Sequence, residues 1–255
     1  MQVKTQSAVR EDGFSLVEVI VVMALVSLLI GALVPLGIHQ ARGARTAKTL
    51  DQLKRTMYGL VGDPARGDYG YLGDMGALPP TLQALNTPAA PIYTVNPADG
   101  VGYGFNGPYA PRVAAPGAAV LDLWGRALQY DGVTAQLTSA GQDRQFGTGD
   151  DIVYPSNPLP TAGNLSVTVL GLPNTGDPPE QLDAARVSVF VGFSNGGTRN
   201  ENLMAGGGPF NANGLHVGYH GLRAQGTGTY AGAVVRDVVQ IRRGTATATL
   251  VLVQP

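Results

Sequence analysis

The most constraining feature of this 255-residue chain is an apolar stretch near its amino end. Residues 14–34 read FSLVEVIVVMALVSLLIGALV and contain one ionisable side chain, Glu18. As a helix rising about 1.5 Å per residue, this stretch would be roughly 31 Å long, which matches the hydrocarbon core of a bilayer. We therefore predict a transmembrane helix over residues 14–34, with a membrane as one partner of the chain.

The helical pattern continues beyond this stretch. Apolar residues recur at helical spacing at Leu50, Leu53, Met57 and Leu60, with Lys and Arg between them. This pattern predicts one helix over residues 14–61, apolar in its first half and amphipathic in its second. A secretory signal peptide is the alternative, but its apolar region is usually only about 7–15 residues long, and no small-x-small cleavage site follows here.

Charge and composition exclude several classes of function. The chain has 17 Lys and Arg against 18 Asp and Glu, so no basic excess is present to neutralise a run of phosphates, and we expect no nucleic-acid partner. It contains no Cys, which excludes disulfides, thiolate metal sites and thiol catalysis.

Glu18 is the unusual residue of the apolar stretch. A carboxylate at the bilayer centre costs on the order of 2.5–3.5 kcal/mol, so an intramembrane acid indicates a function unless the side chain can reach water. Glu18 lies about 6 Å inside the predicted span, so its carboxylate could extend to the interface. Its position alone leaves both interpretations open.

The residues around Glu18 carry a family resemblance. Residues 1–13 form a short polar leader, and Gly13-Phe14-Ser15-Leu16-Val17-Glu18 resembles the processing site of type IV prepilins and type II secretion pseudopilins. The resemblance implies that a prepilin peptidase cleaves after Gly13 and methylates Phe14. It also implies that Glu18 pairs with the terminal amine of a neighbouring subunit and sets the register between subunits. An ammonium group beside the buried carboxylate would offset the free-energy cost of removing the carboxylate from water.

Two further segments resemble the major, G-type pseudopilin. Residues 122–130, DLWGRALQY, resemble its Trp-Gly segment, and residues 139–152, SAGQDRQFGTGDDI, resemble its calcium loop. The family's first turn reads Gly-Pro-Asp-Gly, and here Gln142 and Arg144 replace the Pro and the second Gly. The resemblance implies a Ca²⁺ site with Asp143 and Asp150 as ligands and Asp151 in reserve.

Chemistry alone leaves this loop open to two interpretations. Calcium takes six to eight oxygen ligands, which a Gly-rich loop with acids at both ends could supply, with Ala140, Gln145 and Thr148 as further oxygen donors. The alternative is a solvated loop in which the Asp side chains cap turns.

The remaining pattern predicts two more regions. Residues 62–154 contain a predicted hairpin across Asp131-Gly132 and a strand at 119–121, which predicts a small antiparallel sheet against the long helix. After a Pro-punctuated linker, about five alternating strands predict an antiparallel β-sandwich over residues 155–255, resembling immunoglobulin- or transthyretin-like modules. The predicted fold class is α+β: a long transmembrane and amphipathic helix packed on a small antiparallel sheet, pilin-like, plus a carboxyl-terminal sandwich.

Three further sequence patterns give only weak support for another function. Residues 102–107, GYGFNG, match a dinucleotide fingerprint, but prolines follow where a helix should begin. Ser194 lies in GFSNG with Glu201 and His216 downstream, as in an esterase, but without alternating β and α segments. His216 and His220 would lie about 13 Å apart on a strand, which predicts two surface histidines.

Together, these expectations predict that the protein is a non-enzymatic structural subunit of a type II secretion pseudopilus. Its expected partners are other pseudopilin subunits through the amino-terminal helix, the prepilin peptidase and the inner-membrane secretion platform. The expected location is the bacterial inner membrane, single-pass, with the body in the periplasm. The alternatives are a minor type IV pilin with an adhesin or cargo-binding module at 155–255, and a membrane-anchored hydrolase using Ser194.

Overall fold

A computed structural model describes residues 15–88, 90–111, 114–174 and 176–255. The chain is an α+β protein in which a long amino-terminal helix precedes several small, mostly antiparallel sheets. It divides into two compact units, of which the first ends at Ala47 and the second is Lys48–Pro255.

Helix α1 is Leu16–Val61, a single run of 46 residues. Its end is set by Gly62, whose φ of 70° reverses the backbone while its N–H donates to the carbonyl of Tyr58 at 2.8 Å. A Cβ at this position would collide with the backbone of Asp68, so only glycine fits the turn that ends the helix.

Short elements follow α1. They are a 3₁₀ turn at Pro64–Arg66, helix α2 at Gly70–Met75, a second 3₁₀ turn at Leu82–Leu85, and an antiparallel pair of strands, β1 at Thr94–Val95 and β2 at Gly102–Tyr103. The high density of turn residues in this segment explains why none of these elements is long.

A three-stranded antiparallel sheet comes next, with β3 at Gln129–Asp131, β4 at Gln136–Ser139 and β5 at Ile152–Tyr154, in the order β3-β4-β5. The predicted hairpin is confirmed, although its turn extends over residues 132–135 rather than two residues. The predicted strand at 119–121 is wrong, because Leu121 forms only an isolated bridge to Ala127.

The carboxyl-terminal half of α1 packs on this sheet. Leu53, Met57 and Leu60 are at most 3% exposed, and they belong to one buried cluster with Leu137 of β4 and Leu128 beside β3. Burial of this apolar stripe is the main force that holds the helix against the sheet.

The rest of the chain forms a two-layer sandwich. Its strands are β6 at Ala162–Leu172, β7 at Glu180–Gln181, β8 at Val187–Asn195, β9 at Thr198–Leu203, β10 at Phe210–His216, β11 at Gly218–Gly226, β12 at Val234–Ile241 and β13 at Gly244–Val253. One sheet has the order β10-β6-β13, with β7 also on β6, and the other has the order β12-β11-β8-β9. Alternate residues of both sheets face a single core that contains Val167, Val189, Phe210, Leu222 and Leu250.

One strand pair differs from the prediction of a fully antiparallel sandwich. β13 pairs with β6 in parallel over its whole length, from Gly244 opposite Gly163 to Val253 opposite Leu172. The cause is the short link at Arg242 and Arg243, which carries the chain from β12 in one sheet to β13 in the other. β13 therefore pairs with the first strand of the sandwich and not with its sequence neighbour.

Candidate functional sites

The first candidate site is the start of helix α1. Ser15 precedes the helix, and its Oγ accepts the N–H of Glu18 at 3.2 Å while its carbonyl accepts the N–H of Val19 at 3.2 Å. This is the helix cap expected of a Ser-x-x-Glu sequence, and it places Glu18 in the first turn, where the helix dipole favours a carboxylate. Gly13 and Phe14, the predicted processing residues, lie outside the described residues.

The surface that follows Glu18 is apolar on every side. Thirteen large apolar side chains between residues 16 and 33 are 46–78% exposed. An exposed apolar surface of this extent is typical of a protein–protein or membrane interface. In the part of the chain that the structure describes, no helix has both the length and the apolar character required to cross a membrane.

The second candidate site is the loop at residues 140–151. The Oδ2 of Asp150 accepts the backbone N–H groups of Gln142, at 2.5 Å, and Asp143, at 3.1 Å. Its Oδ1 accepts the hydroxyl of Thr148 at 2.8 Å. The Thr148 bond and the backbone N–H groups hold the pKa of Asp150 below its ordinary value, so Asp150 stays an anion that holds the two ends of the loop together.

The two other predicted ligands are placed differently. Asp143 accepts the N–H of Gln145 at 2.8 Å, and the Oδ2 of Asp151 accepts the N–H of Gly147 at 2.7 Å. The Oδ1 of Asp151 is buried without a hydrogen-bond partner in the described residues. An oxygen without a hydrogen-bond partner, in a loop whose possible metal ligands are all oxygen atoms, fits the chemistry of a Ca²⁺ site. Over the described ranges, no three His, Asp or Glu side chains form a ready-made metal cluster.

Asp122 connects the segment 122–130 to the start of the 140–151 loop. It is 5% exposed, and its Oδ1 accepts the N–H groups of Trp124 and Arg126 at 3.0 and 2.8 Å. Its Oδ2 accepts the hydroxyl of Ser139 at 2.7 Å, and Ser139 Oγ in turn accepts the N–H of Gly141 at 3.3 Å. The turn at Trp124 therefore supports the first residues of the 140–151 loop. Sequence reasoning missed this role, although an Asp that begins a turn signals a side-chain cap.

The prediction of two surface histidines is wrong. His216 and His220 are 8% and 0% exposed, and their ring centroids lie 4.5 Å apart, at the point where the chain passes from β10 in one sheet to β11 in the other. His220 Nε2 donates to the carbonyl of His216 at 2.8 Å, and His216 Nδ1 donates to that of Val217 at 3.2 Å. Burial lowers the pKa of both rings, and with His216 nearby the pKa of His220 falls to about 4.

The esterase-like residues do not form a triad in the described structure. The Ser194 hydroxyl donates to the carbonyl of Asp74 at 2.7 Å, and Glu201 pairs with Arg223 at 2.9 Å. Ser194 and His216 do line the same cleft, which has a volume of about 470 Å³. The GYGFNG segment forms β2 and the loop after it, and the described residues that follow, 108–111, contain no helix.

Comparison with known protein families shows that residues 9–34 match the prokaryotic N-terminal methylation motif. The motif supports a type IV pilin-like or pseudopilin-like protein that is processed by prepilin peptidase. It implies an amino-terminal membrane-anchored segment and pilus-like assembly with related subunits. A comparison with curated proteins gave no match to this chain.

Proposed function

We propose that this protein is a structural, non-enzymatic subunit of a type II secretion pseudopilus, assembled from the inner membrane into a periplasmic fibre. The observation that carries the proposal is the methylation motif at residues 9–34, which opens directly into a helix that is apolar on all sides. A surface of this kind needs lipid before assembly and other subunits afterwards. In this proposal the membrane span is the predicted one, residues 14–34.

In this proposal, the carboxylate of Glu18 sets the axial register between the helices of neighbouring subunits. The Ser15 cap places its carboxylate in the first turn, and it forms no ion pair with any described residue. A second subunit that offers a terminal ammonium at this level would neutralise it and fix the axial position of one helix against the next.

The test of the pathway is the mass and amino-terminal sequence of the protein purified from membranes of cells that contain a prepilin peptidase. We expect a chain that begins at N-methylated Phe14. A Gly13→Ala variant, which leaves the helix unchanged, should stay uncleaved and begin at Met1. Wild-type protein that also begins at Met1 would contradict the proposal.

The location of the fibre distinguishes the pseudopilus from the second candidate, a minor type IV pilin with a binding module at 155–255. The sandwich, which has its own core, and the cleft of about 470 Å³ that it forms with the segment before it favour that second candidate. Antibodies against the sandwich should label intact cells if the fibre is a surface pilus. They should label only cells with a permeabilised outer membrane if the fibre is periplasmic.

We further propose that the 140–151 loop binds Ca²⁺, as in a G-type pseudopilin. The donor chemistry and the orphaned Oδ1 of Asp151 support this, with Asp143 as the second carboxylate and Asp150 bracing the loop through its bonds to backbone N–H groups. Bound Ca²⁺ would supply a cross-link between the two ends of a loop that has little apolar content of its own.

Thermal unfolding of the full chain in detergent micelles tests the calcium proposal. Calcium at about 100 times its dissociation constant stabilises a fold by about 2.7 kcal/mol, which corresponds to a Tm increase of about 5–10 °C. We expect this increase with Ca²⁺, its loss with a chelator, and no response in Asp151→Asn. Equal Tm values for the wild type with Ca²⁺ and with chelator would exclude the site.

A further inference from the structure

The cleft of about 470 Å³ between the sandwich and the segment before it has an uncharged lining. All of its lining residues belong to the unit Lys48–Pro255, and the described ones include no Asp, Glu, Lys or Arg. His216 is titratable, but burial lowers its pKa, so its ring is neutral at pH 7. The volume lies within the roughly 300–1,000 Å³ of small-molecule sites, so the cleft suits an uncharged small ligand.

Three asparagines from three different strands line this cleft. They are Asn195 at the end of β8, Asn202 on β9 and Asn213 on β10, and all three are exposed. Their side-chain amides form no hydrogen bond with any described residue. Each amide carries both N–H donors and a carbonyl acceptor. The cleft therefore offers free donors and free acceptors side by side.

Asn202 occupies a core-facing position of its sheet. It lies directly opposite Val191 in the antiparallel pairing of β9 with β8, and directly opposed residues project to the same face. Val191 is 2% exposed in the sandwich core, whereas Asn202 is exposed. Both β9 and β10 are edge strands, and the register of β10 shifts between Ala212 and Leu215. The core is thus open at this edge, and a polar residue that breaks the apolar pattern there is typical of a functional site.

Phe193 adds an aromatic surface beside these amides. Its half-buried side chain packs against the sandwich core and also lines the cleft, together with the aliphatic side chains of Leu78 and Leu215. Two further lining residues are held in place: the Ser194 hydroxyl donates to the carbonyl of Asp74 at 2.7 Å, and the His216 ring lies against the backbone of Ser194 and Val217. The cleft therefore combines a fixed wall, an apolar patch and free neutral amides.

From these features we propose that the cleft binds a neutral saccharide. Sugar hydroxyls donate and accept hydrogen bonds, as the three amides do, and the C–H face of a pyranose ring can pack on Phe193. A peptide main chain would instead be recognised by strand pairing and by pockets for alternate side chains. A free sugar and one unit of a glycan chain share this chemistry. The proposal deepens the second candidate function, in which the sandwich is a binding module.

Ligand-observed NMR titration of the full chain at pH 7, in micelles of a detergent without a sugar headgroup, tests the proposal. The probes are glucose, galactose, mannose and N-acetylglucosamine, with glucuronate and galacturonate as charged matches and a capped alanine dipeptide as a neutral peptide. We expect saturable binding of at least one neutral sugar with a Kd of about 1 mM or lower. The uronates and the dipeptide should bind at least tenfold more weakly. Because the chain is unassembled in micelles, failure here would leave the fibre proposal standing.

Variants of exposed residues complete the test without endangering the fold. Asn202→Ala combined with Asn213→Ala should weaken sugar binding at least tenfold. Asn211→Ala, an exposed residue of β10 that does not line the cleft, should leave it unchanged. A linear tetrasaccharide that binds at least tenfold more tightly than its single sugar would identify a glycan chain as the ligand, and equal affinities would identify a single sugar unit. No binding of any neutral sugar, tighter binding of the dipeptide, or unchanged affinity in the double variant would overturn the proposal.

Discussion

At the scale of single residues, burial decides how much a side-chain cap contributes. Asp122 and Asp131 each accept three hydrogen bonds, two from backbone N–H groups and one from a hydroxyl. Asp122 is 5% exposed and Asp131 lies on the surface. A donor that loses its acceptor in the interior stays unpaired, whereas at the surface it binds water.

We expect Asp122→Ala to destabilise the fold by about 3–5 kcal/mol, since it leaves the donors of Trp124, Arg126 and Ser139 without an acceptor. Asp131→Ala is the matched control and should have a much smaller effect. Urea unfolding of the full chain in micelles measures both. Similar losses for the two variants would show that burial is not the deciding factor.

Arg144 occupies a glycine-like position of the 140–151 loop. Its φ is 59°, in the left-handed region, where a non-glycine residue is strained. We therefore expect Arg144→Gly to raise stability by about 0.5–1 kcal/mol, or Tm by about 1–4 °C. Arg144→Ala keeps the strain and removes the side chain, so it should not raise the Tm. A higher Tm for Arg144→Ala would show that the Arg144 side chain, and not its backbone conformation, is responsible for the effect.

At the scale of elements, helix α1 combines a capped first turn with a long apolar surface. Both follow from local sequence, because the Ser15–Glu18 cap and the apolar run need no distant contact. The carboxyl-terminal half depends on tertiary packing, since Leu53, Met57 and Leu60 are buried in one cluster with residues of the sheet, of α2 and of the segments around them.

We expect Glu18→Ala to leave processing intact and to reduce fibre yield at least tenfold, because the variant lacks the charge that we propose sets subunit register. Ser15→Ala removes the capping oxygen and keeps the carboxylate, so its yield should fall far less. Immunoblots of sheared or fractionated fibres, beside the amino-terminal mass, measure both steps. A fibre yield of Glu18→Ala equal to wild type would remove Glu18 from assembly.

Some strands are defined by the local alternation of their sequence, and others are defined by the distant segments with which they pair. β6, β8 and β12 contain predicted alternating runs, whereas the polar sequence of β9, TRNENL, gives no such pattern. β9 forms because it pairs with β8 across the turn at Gly196 and Gly197. The parallel pairing of β13 with β6 was likewise unpredictable, since it depends on the sheet in which β12 lies.

At the scale of the whole molecule, the sandwich and the segment before it are joined in one unit. Ser194 and Gly197 donate to the carbonyls of Asp74 and Met75 at 2.7 and 3.0 Å. Gly76 lies so close to Ser194 that a Cβ would collide with its carbonyl. Val217, between β10 and β11, belongs to the same buried cluster as the end of α1. Unfolding of either part should therefore affect the other.

The buried His220 and the half-buried Asp74 should have opposite effects on stability as pH falls. The pKa of His220 is lowered from 6.5 to about 4, so its neutral form stabilises the fold above pH 6.5 and this stability, about 3 kcal/mol, is lost toward pH 4. The pKa of Asp74 is raised from 3.8 to about 6, so protonation of Asp74 restores stability as pH falls from 6 toward 3.8.

Urea unfolding between pH 7 and pH 4 separates these two effects. Relative to wild type, we expect His220→Gln to become more stable toward pH 4 and Asp74→Asn to become less stable. The other carboxylates titrate in the same way in all three proteins. Their contributions therefore cancel when the unfolding free energy of each variant is compared with that of wild type. Parallel stability curves for wild type and both variants would mean that neither group titrates as described.

The sequence by itself determined the features that depend on neighbouring residues: the apolar helix, the methylation motif, the hairpin at 129–139 and the alternating strands of the sandwich. Only the tertiary structure decided the features that join distant residues. Asp122 accepts the hydroxyl of Ser139, His216 packs against His220 where the chain passes between the two sheets, and Asp68, Asp74, Tyr93 and Tyr219 line one cavity. Periodicity and capping are local properties of a chain, whereas burial, pairing and pKa depend on which segments the fold brings together.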